Sequence, residues 1–428
     1  MRKPTWRLSL LALLGFALIA LIAFEVFGPK RHVQEILAKL EQIEQPTTPQ
    51  ALSKRYALAT EGHPDRLLAW LTAIVPVSTP EYMQDYEATM SVYRASGKDQ
   101  TVDDFLGRQK GIIHDLTQAA TDPGPVHYPF DLVAGLEMNL EVLVQLKRAA
   151  HLLSLETKSA AQHGQAERFV DSANAGLVTA ATLQNSPILA AHDAYCEITS
   201  VITQSVFDGL STVNLSKSQI NRLIHTAHSS QCPNNLANAL EGEGAIAIDY
   251  FLEPARLPTF YRTTVASTSS RYFDLEYYLR HMQRGIAAID QPFNGGWENI
   301  VNLQQELLEN SGRKGIIGRW LCRRRVLSLL LLPNFETITE QHANARFALH
   351  VLPTALAISA FDTQQGRPPM SLDELPQTDL QSPTDFDGQP LGFTTTSNTY
   401  QISSSVLGLL KEEPRLQIEI PRGLQQSR

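Results

Sequence analysis

Apolar residues recur at helical spacing along most of the chain, which predicts a largely helical protein. This periodicity indicates short helices up to residue 120 and longer helices between residues 132 and 363, the first of them over residues 132–163. The alternation that is typical of strands occurs only near the end, at residues 390–395, 398–403 and 416–420. The pattern therefore predicts a mainly α fold, an α-helical bundle or helical array followed by a small C-terminal α+β module.

Helix-breaking and capping residues divide this pattern further. Ser216 and Gln219 form a capping box, which predicts a helix start, and Gly366 predicts a helix end. Asp122–Pro125 is the clearest internal break. We therefore predict four regions: 1–28, a cytoplasmic tip and transmembrane anchor; 29–122, an N-terminal helical region; 126–335, a helical bundle; and 336–428, the C-terminal module.

The N-terminal segment contains the longest apolar run, Leu8–Phe27, in which Glu25 is the one charged residue. As a helix this run would extend about 30 Å, the thickness of a bilayer core. Arg2, Lys3 and Arg7 precede it, which favours a cytoplasmic N-terminus. The sequence thus predicts a single-pass inner (plasma) membrane protein whose bulk is periplasmic or otherwise extracytoplasmic.

This segment has two other interpretations. A cleaved signal peptide needs small residues at positions −3 and −1, and the best site, after Ala23, has Leu21 at −3. A type IV prepilin leader would have a charged stretch directly before Gly15 and a Glu five residues after it, where Ala20 stands. The uncleaved anchor is the preferred interpretation, with cleavage as its alternative.

Composition narrows the class of protein. Of 428 residues, 43% are hydrophobic and 19% charged, which is typical of a folded chain rather than a disordered one. A formal net charge of −8 gives no general attraction for nucleic acid. Three cysteines are too few for a disulfide-stapled miniprotein or a multi-zinc scaffold.

Two of the cysteines are candidates for a disulfide. If residues 187–210 and 216–230 form an antiparallel helical hairpin, Cys196 and Cys232 lie at similar distances from its turn. An oxidising compartment would then permit a bond between them. The alternative is two buried thiols.

The same region contains a candidate metal site. His225, His228 and Cys232 have the spacing of residues on one helical face, and imidazole plus thiolate suits zinc. The alternative is a pair of surface histidines, and this hypothesis competes with the disulfide for Cys232.

A basic cluster is the strongest local charge feature, and it comprises Arg313, Lys314, Arg319, Arg323, Arg324 and Arg325. Within it, Arg319, Arg323, Arg324 and Arg325 are candidates for contact with lipid headgroups or an acidic partner. The alternative is pairing within the fold with Glu306 and Glu309.

Catalytic motifs are absent from the sequence. It contains no Walker loop, no dinucleotide-binding glycine pattern, no His-Glu-x-x-His and no Gly-x-Ser-x-Gly. Cys322 has no evident histidine partner for a nucleophilic role. We therefore name no catalytic residue and no cofactor.

The C-terminal region carries one specific pattern, read from five segments: the small-residue helix 345–361, then 365–369, 371–375, 382–391 and 400–403. It resembles the C-terminal module of type II secretion pseudopilins, and of uncharacterised bacterial membrane-anchored helical proteins that the segment 185–243 also resembles. Pseudopilins bind calcium in this region, but Asp385 and Asp387 offer too few oxygens here, so the metal is not carried over.

The resemblance implies architecture rather than catalysis. Together with the predicted anchor it indicates a binding or assembly component of the cell envelope, with the lipid bilayer and envelope proteins as partners. The alternative is an envelope hydrolase or metal-dependent enzyme, with a pocket near His192, His225 and His228.

Overall fold

The computed structural model of the protein describes residues 29–59, 64–232, 234–257, 271–291, 293–312, 325–375, 384–385, 388–396, 398–404 and 416–422. The predicted anchor, Leu8–Phe27, lies outside these residues. Among the helices that are described, none is both long enough and apolar enough for a membrane span.

The first half of the chain consists of helices joined by short connections. In chain order they are α1 (29–42), α2 (Pro49–Ala59), α3 (Pro64–Ile74), α4 (Pro80–Ser96), α5 (Asp99–Arg108), α6 (Lys110–Ala119), α7 (Glu141–Gln162) and α8 (Ala166–Ala181). Single 3-10 turns follow α3 and precede α7, at Val75–Ser78 and Leu132–Glu137.

The second half adds longer helices and the sheet. They are α9 (Leu189–Gly209), α10 (Lys217–Ser229), α11 (Asn235–Leu252), α12 (Arg271–Ile289), α13 (Phe293–Gly312), α14 (Val326–Leu331) and α15 (Phe335–Gln365), then β1 (Gly392–Thr395), β2 (Thr399–Ser403) and β3 (Gln417–Pro421). Short 3-10 turns occur at Pro254–Arg256 and Leu372–Glu374. The predicted mainly helical fold with a small terminal sheet is confirmed.

Helices α7, α8 and α9 pack against one another at the centre of the molecule. Small residues allow this: a Cβ at Gly176 of α8 would come within 2.3 Å of the Ile202 side chain of α9. Buried hydroxyls also bond between α7 and α8, as in the 2.8 Å contact between the Thr157 and Ser172 oxygens. One contiguous cluster of buried apolar residues extends from here to both ends of the described chain.

The predicted helix over residues 132–163 is interrupted in the structure. Gly135 adopts φ 57 and ψ −120, a non-helical conformation that kinks the 3-10 segment Leu132–Glu137, and α7 begins only at Glu141. The hydroxyl of Tyr250 accepts a hydrogen bond from the Leu136 amide at 2.6 Å, which fixes this bend from α11. The interruption therefore comes from a tertiary contact that the local pattern does not contain.

The C-terminal module follows the predicted order of elements. Gly366 ends α15 in the left-handed conformation (φ 66), and the strands form an antiparallel sheet in the order β1-β2-β3. Asp385 accepts hydrogen bonds from the Gln389 amide and the Ser404 hydroxyl. Asp387 lies outside the described residues, and Asp385 has a structural role in this loop.

Helix α15 links this module to the bundle. It begins at Phe335, beside the predicted boundary at 335–336, yet it packs against α9 and α10. Midway along the helix, His350 Nε2 lies 2.9 Å from the carbonyl oxygen of Thr384. The domain boundaries proposed from the sequence stay predictions. The packing of α15 on α9 brings side chains of the two helices together in the interior.

Candidate metal centre

Helix α9 carries two of the three residues of the site. His192 and Cys196 are four positions apart, so they lie one above the other on the same helical face. The start of α9 is fixed by Glu243 of α11, whose carboxylate accepts a hydrogen bond from the Leu189 amide at 3.0 Å. His192 lies in this first turn, so the contact holds the backbone that carries its imidazole.

Helix α15 supplies the third residue, His342. This helix begins after Asn334, whose side chain accepts a hydrogen bond from the Thr337 amide at 3.2 Å and so caps the first turn. The packing of α15 on α9 brings the ring centroids of His342 and His192 to 5.1 Å, with the rings tilted by 47°.

The three side chains meet in the interior, and we call them the HHC cluster. One ligand atom from each of His192, Cys196 and His342 lies within 4.8 Å of the other two. His192 Nε2 is 3.4 Å from Cys196 Sγ, close to the roughly 3.6 Å that a tetrahedral zinc ion would set between a nitrogen and a sulfur ligand. The three residues are only 2%, 4% and 5% exposed, respectively.

Burial controls the protonation of the cluster. It lowers the pKa of His192 to about 4, so this imidazole is neutral and has a lone pair to donate at neutral pH. Burial also raises the pKa of the Cys196 thiol, and the neighbouring carboxylate of Asp193 adds to that rise. A metal ion would therefore have to displace the thiol proton when it binds.

One polar atom of the cluster lacks a partner. His192 Nδ1 is buried and accepts or donates no hydrogen bond within the described part of the chain. Whichever tautomer the ring adopts, its contact with Cys196 uses Nε2, so Nδ1 is left over. An unsatisfied buried polar atom costs about 1–3 kcal/mol.

Charged residues lie close to the HHC cluster on α7, α9 and α15. On α7, the Lys147 ammonium lies 2.8 Å from a carboxylate oxygen of Asp193 and 2.6 Å from one of Glu197. Burial raises the pKa of Tyr195, and the guanidinium of Arg346 on α15 offsets a small part of that rise. The Tyr195 hydroxyl donates to the Ser230 carbonyl oxygen at 3.0 Å.

A small cavity borders His342. Its volume is about 30 Å³, enough for about one water molecule, and Thr339, Arg346 and Trp297 contribute to its walls.

No known protein family, curated protein or solved structure matches this chain.

The metal site predicted at His225, His228 and Cys232 is not assembled. His225 and His228 are exposed on α10, and Cys232 lies beyond the end of that helix. Within the described residues, the HHC cluster is the one group of three potential ligands that meets. A pocket was also predicted near His192, His225 and His228. Of these three histidines, His192 belongs to the HHC cluster.

The predicted disulfide is not formed in the structure. Cys196 and Cys232 are both free thiols, the first buried and the second half-buried. Cys196 Sγ instead contacts His192 Nε2. Cys322 lies outside the described residues.

Most of the basic cluster also lies outside the described residues, including Arg319, Arg323 and Arg324. Arg325 is described, and its guanidinium carbon lies 4.0 Å from the ring centroid of Tyr277. The amides of Leu327 and Ser328 donate to buried Asp274 at 2.9 and 3.1 Å. Burial raises the pKa of Asp274 to about 6. Arg325 thus packs within the fold, and its proposed contact with lipid or a partner stays a prediction.

Sequence reasoning overlooked the HHC cluster for an identifiable reason. The i, i+4 spacing of His192 and Cys196 is visible in the sequence and is one that helical metal ligands use. His342 has no local signal, because its place in the cluster depends on the packing of α15 against α9.

Proposed function

We propose that this chain is a membrane-anchored, extracytoplasmic helical protein whose role is to bind one transition-metal ion through His192, Cys196 and His342. The observation that carries the metal-binding part is the buried convergence of two imidazoles and a thiol from two helices. Structural packing offers no comparable reason to gather three metal-binding side chains at a single interior point.

The donor set defines the class of metal. Two nitrogens and one sulfur suit zinc and copper, whereas calcium and magnesium require oxygen ligands. Within the described residues no carboxylate joins the cluster. The HHC cluster is therefore a site for zinc or copper rather than for calcium or magnesium.

The location rests on the apolar run Leu8–Phe27, the basic residues before it and the resemblance of the C-terminal module to pseudopilins. We expect a C-terminal alkaline phosphatase fusion to be active and a C-terminal green fluorescent protein exported through the same route to be dark. A fluorescent, phosphatase-inactive pair would place the C-terminus in the cytoplasm and contradict this part of the proposal.

The metal-binding part is tested on the full chain in mild detergent, purified without a histidine tag. After incubation with Zn²⁺, Co²⁺ and Ni²⁺, and separately with Cu⁺ under reductant, excess metal is removed and the bound metal measured. We expect about one equivalent of metal in at least one arm, and less than a tenth as much in His342→Ala, which removes one of three ligands.

The matched control is the double variant His225→Ala/His228→Ala, which removes two exposed imidazoles from α10. It should retain the full equivalent. If neither metal mixture leaves bound metal, or if the control loses metal and His342→Ala keeps it, the proposed function is wrong.

A further inference from the structure

The cavity beside His342 has walls that are suited to an anion. It lies where α12, α13 and α15 meet, and His342 is the wall that it shares with the HHC cluster. We propose that this cavity binds one small inorganic anion of the size of chloride. The inference goes beyond the proposed function, because anion binding here does not require a metal ion in the HHC cluster.

Arg346 supplies positive charge to the cavity. It is half-buried on α15, and it is the one charged side chain among the described walls. Asp290 and Glu298 adjoin wall residues in the sequence, but both side chains are exposed and neither lines the cavity. Because an ion in a protein interior is costly unless an opposite charge accompanies it, the guanidinium favours an anion over a cation.

Thr339 contributes a hydroxyl that has no partner. The residue is 6% exposed and lines the cavity, and its Oγ1 makes no hydrogen bond within the described part of the chain. A buried hydroxyl in this state destabilises the fold. An anion in the cavity would accept a charge-assisted hydrogen bond from it, which is about twice as strong as a bond between neutral groups.

The other polar walls mainly offer donors. The indole N–H of Trp297 can only donate. The side-chain oxygen of Gln291 accepts a hydrogen bond from the Asn299 side chain at 3.0 Å, and the carbonyl oxygen of Ala288 accepts one from the Gln291 backbone amide at 3.3 Å. These contacts occupy acceptors and leave donors, which is the set of groups that an anion requires.

The size of the cavity limits which anion can enter. Its volume of about 30 Å³ holds about one water molecule. A single-atom ion such as chloride is of that order, whereas sulfate, phosphate and carboxylates need more room. We expect a Kd in the millimolar range, since two or three hydrogen bonds to one partly solvated ion support no tighter binding.

Chloride binding is measured by chlorine NMR line broadening on the metal-free full chain in a neutral detergent. We expect broadening that saturates in the millimolar range and that bromide removes, while equimolar sulfate does not. Absence of a saturable component would mean that the cavity holds water only, and it would overturn the inference. Sulfate that competes as well as bromide would assign the binding to surface cations and would also overturn it. Because no metal is present, neither outcome bears on the proposed function.

Two variants assign the binding to this cavity. Thr339→Val removes the hydroxyl and keeps the shape of the side chain, and Arg346→Met removes the charge. Each is expected to lower the saturable broadening to less than about a third of that of the parent protein. Circular dichroism verifies that each variant keeps its helix content, and Thr339→Val alone decides if Arg346→Met does not fold.

The matched controls are Thr339→Ser, which keeps the hydroxyl, and Arg284→Met, which removes an exposed arginine of the neighbouring helix α12. Both should stay within about 1.5-fold of the parent protein. If Thr339→Val keeps the parental broadening, or if the controls lose it to the same extent, the anion does not bind in the cavity beside His342.

Discussion

Replacing Cys196 with serine is expected to weaken metal binding at least about 100-fold, because it removes the soft ligand and the negative charge of the site together. The fold should tolerate the change. Cys196 lies within α9, where a serine hydroxyl can donate to the carbonyl oxygen of His192 one turn earlier. The free energy of unfolding of the metal-free protein should therefore change by less than about 1 kcal/mol. Metal affinity is measured by chelator competition and stability by urea unfolding.

Cys232→Ser is the matched control for this variant. Cys232 is the other described cysteine, half-buried after α10 and outside the HHC cluster. Its replacement should leave metal affinity within about twofold of the parent protein. If Cys196→Ser and Cys232→Ser lost the same amount of metal affinity, the HHC cluster would not account for the binding.

Gly242→Ala is expected to be the most destabilising single-methyl substitution in the protein core. A Cβ on this residue of α11 would lie 1.7 Å from the carbonyl oxygen of Pro187, and backbone cannot move aside as a flexible side chain can. The displaced α11 would also pull Glu243 away from the Leu189 amide that begins α9. We expect a loss of about 2–4 kcal/mol in the free energy of unfolding, measured by urea denaturation.

Gly244→Ala is the control for that substitution, because it lies two residues later on the same helix with no atom within 4 Å of its added Cβ. Alanine is the better helix former, so this variant should be unchanged or more stable by up to about 1 kcal/mol. Equal stability of the Gly242 and Gly244 variants would mean that α11 does not approach the start of α9 as closely as described. Since His192 lies in that first turn, the Gly242 variant should also weaken metal binding.

Local signals in the sequence predicted the parts of the fold that local chemistry determines. The capping box of Ser216 and Gln219 is confirmed, as is the left-handed end of α15 at Gly366. The three strands are also confirmed, with ends shifted by one or two residues. In each case a residue's own conformational preference, or the alternation of its neighbours, is sufficient to set the structure.

Long-range contacts explain what the sequence did not predict. The helix expected over residues 132–163 is broken near Gly135 because Tyr250, on a distant helix, binds the Leu136 amide. The metal site was expected at His225 and His228, whose spacing fits a helix but whose face is turned to solvent. His192 and Cys196 share the same kind of spacing on a buried face, and only the packing of α15 shows that His342 completes the cluster.

The central claim is that one interior point of the helical bundle binds a metal through two nitrogens and one sulfur. The most direct measurement is the X-ray absorption spectrum, at the metal edge, of the metal-loaded full chain. We predict one sulfur at about 2.2–2.3 Å and two imidazole nitrogens at about 2.0 Å. A first shell without sulfur, made of nitrogen or oxygen alone, would contradict the assignment to His192, Cys196 and His342.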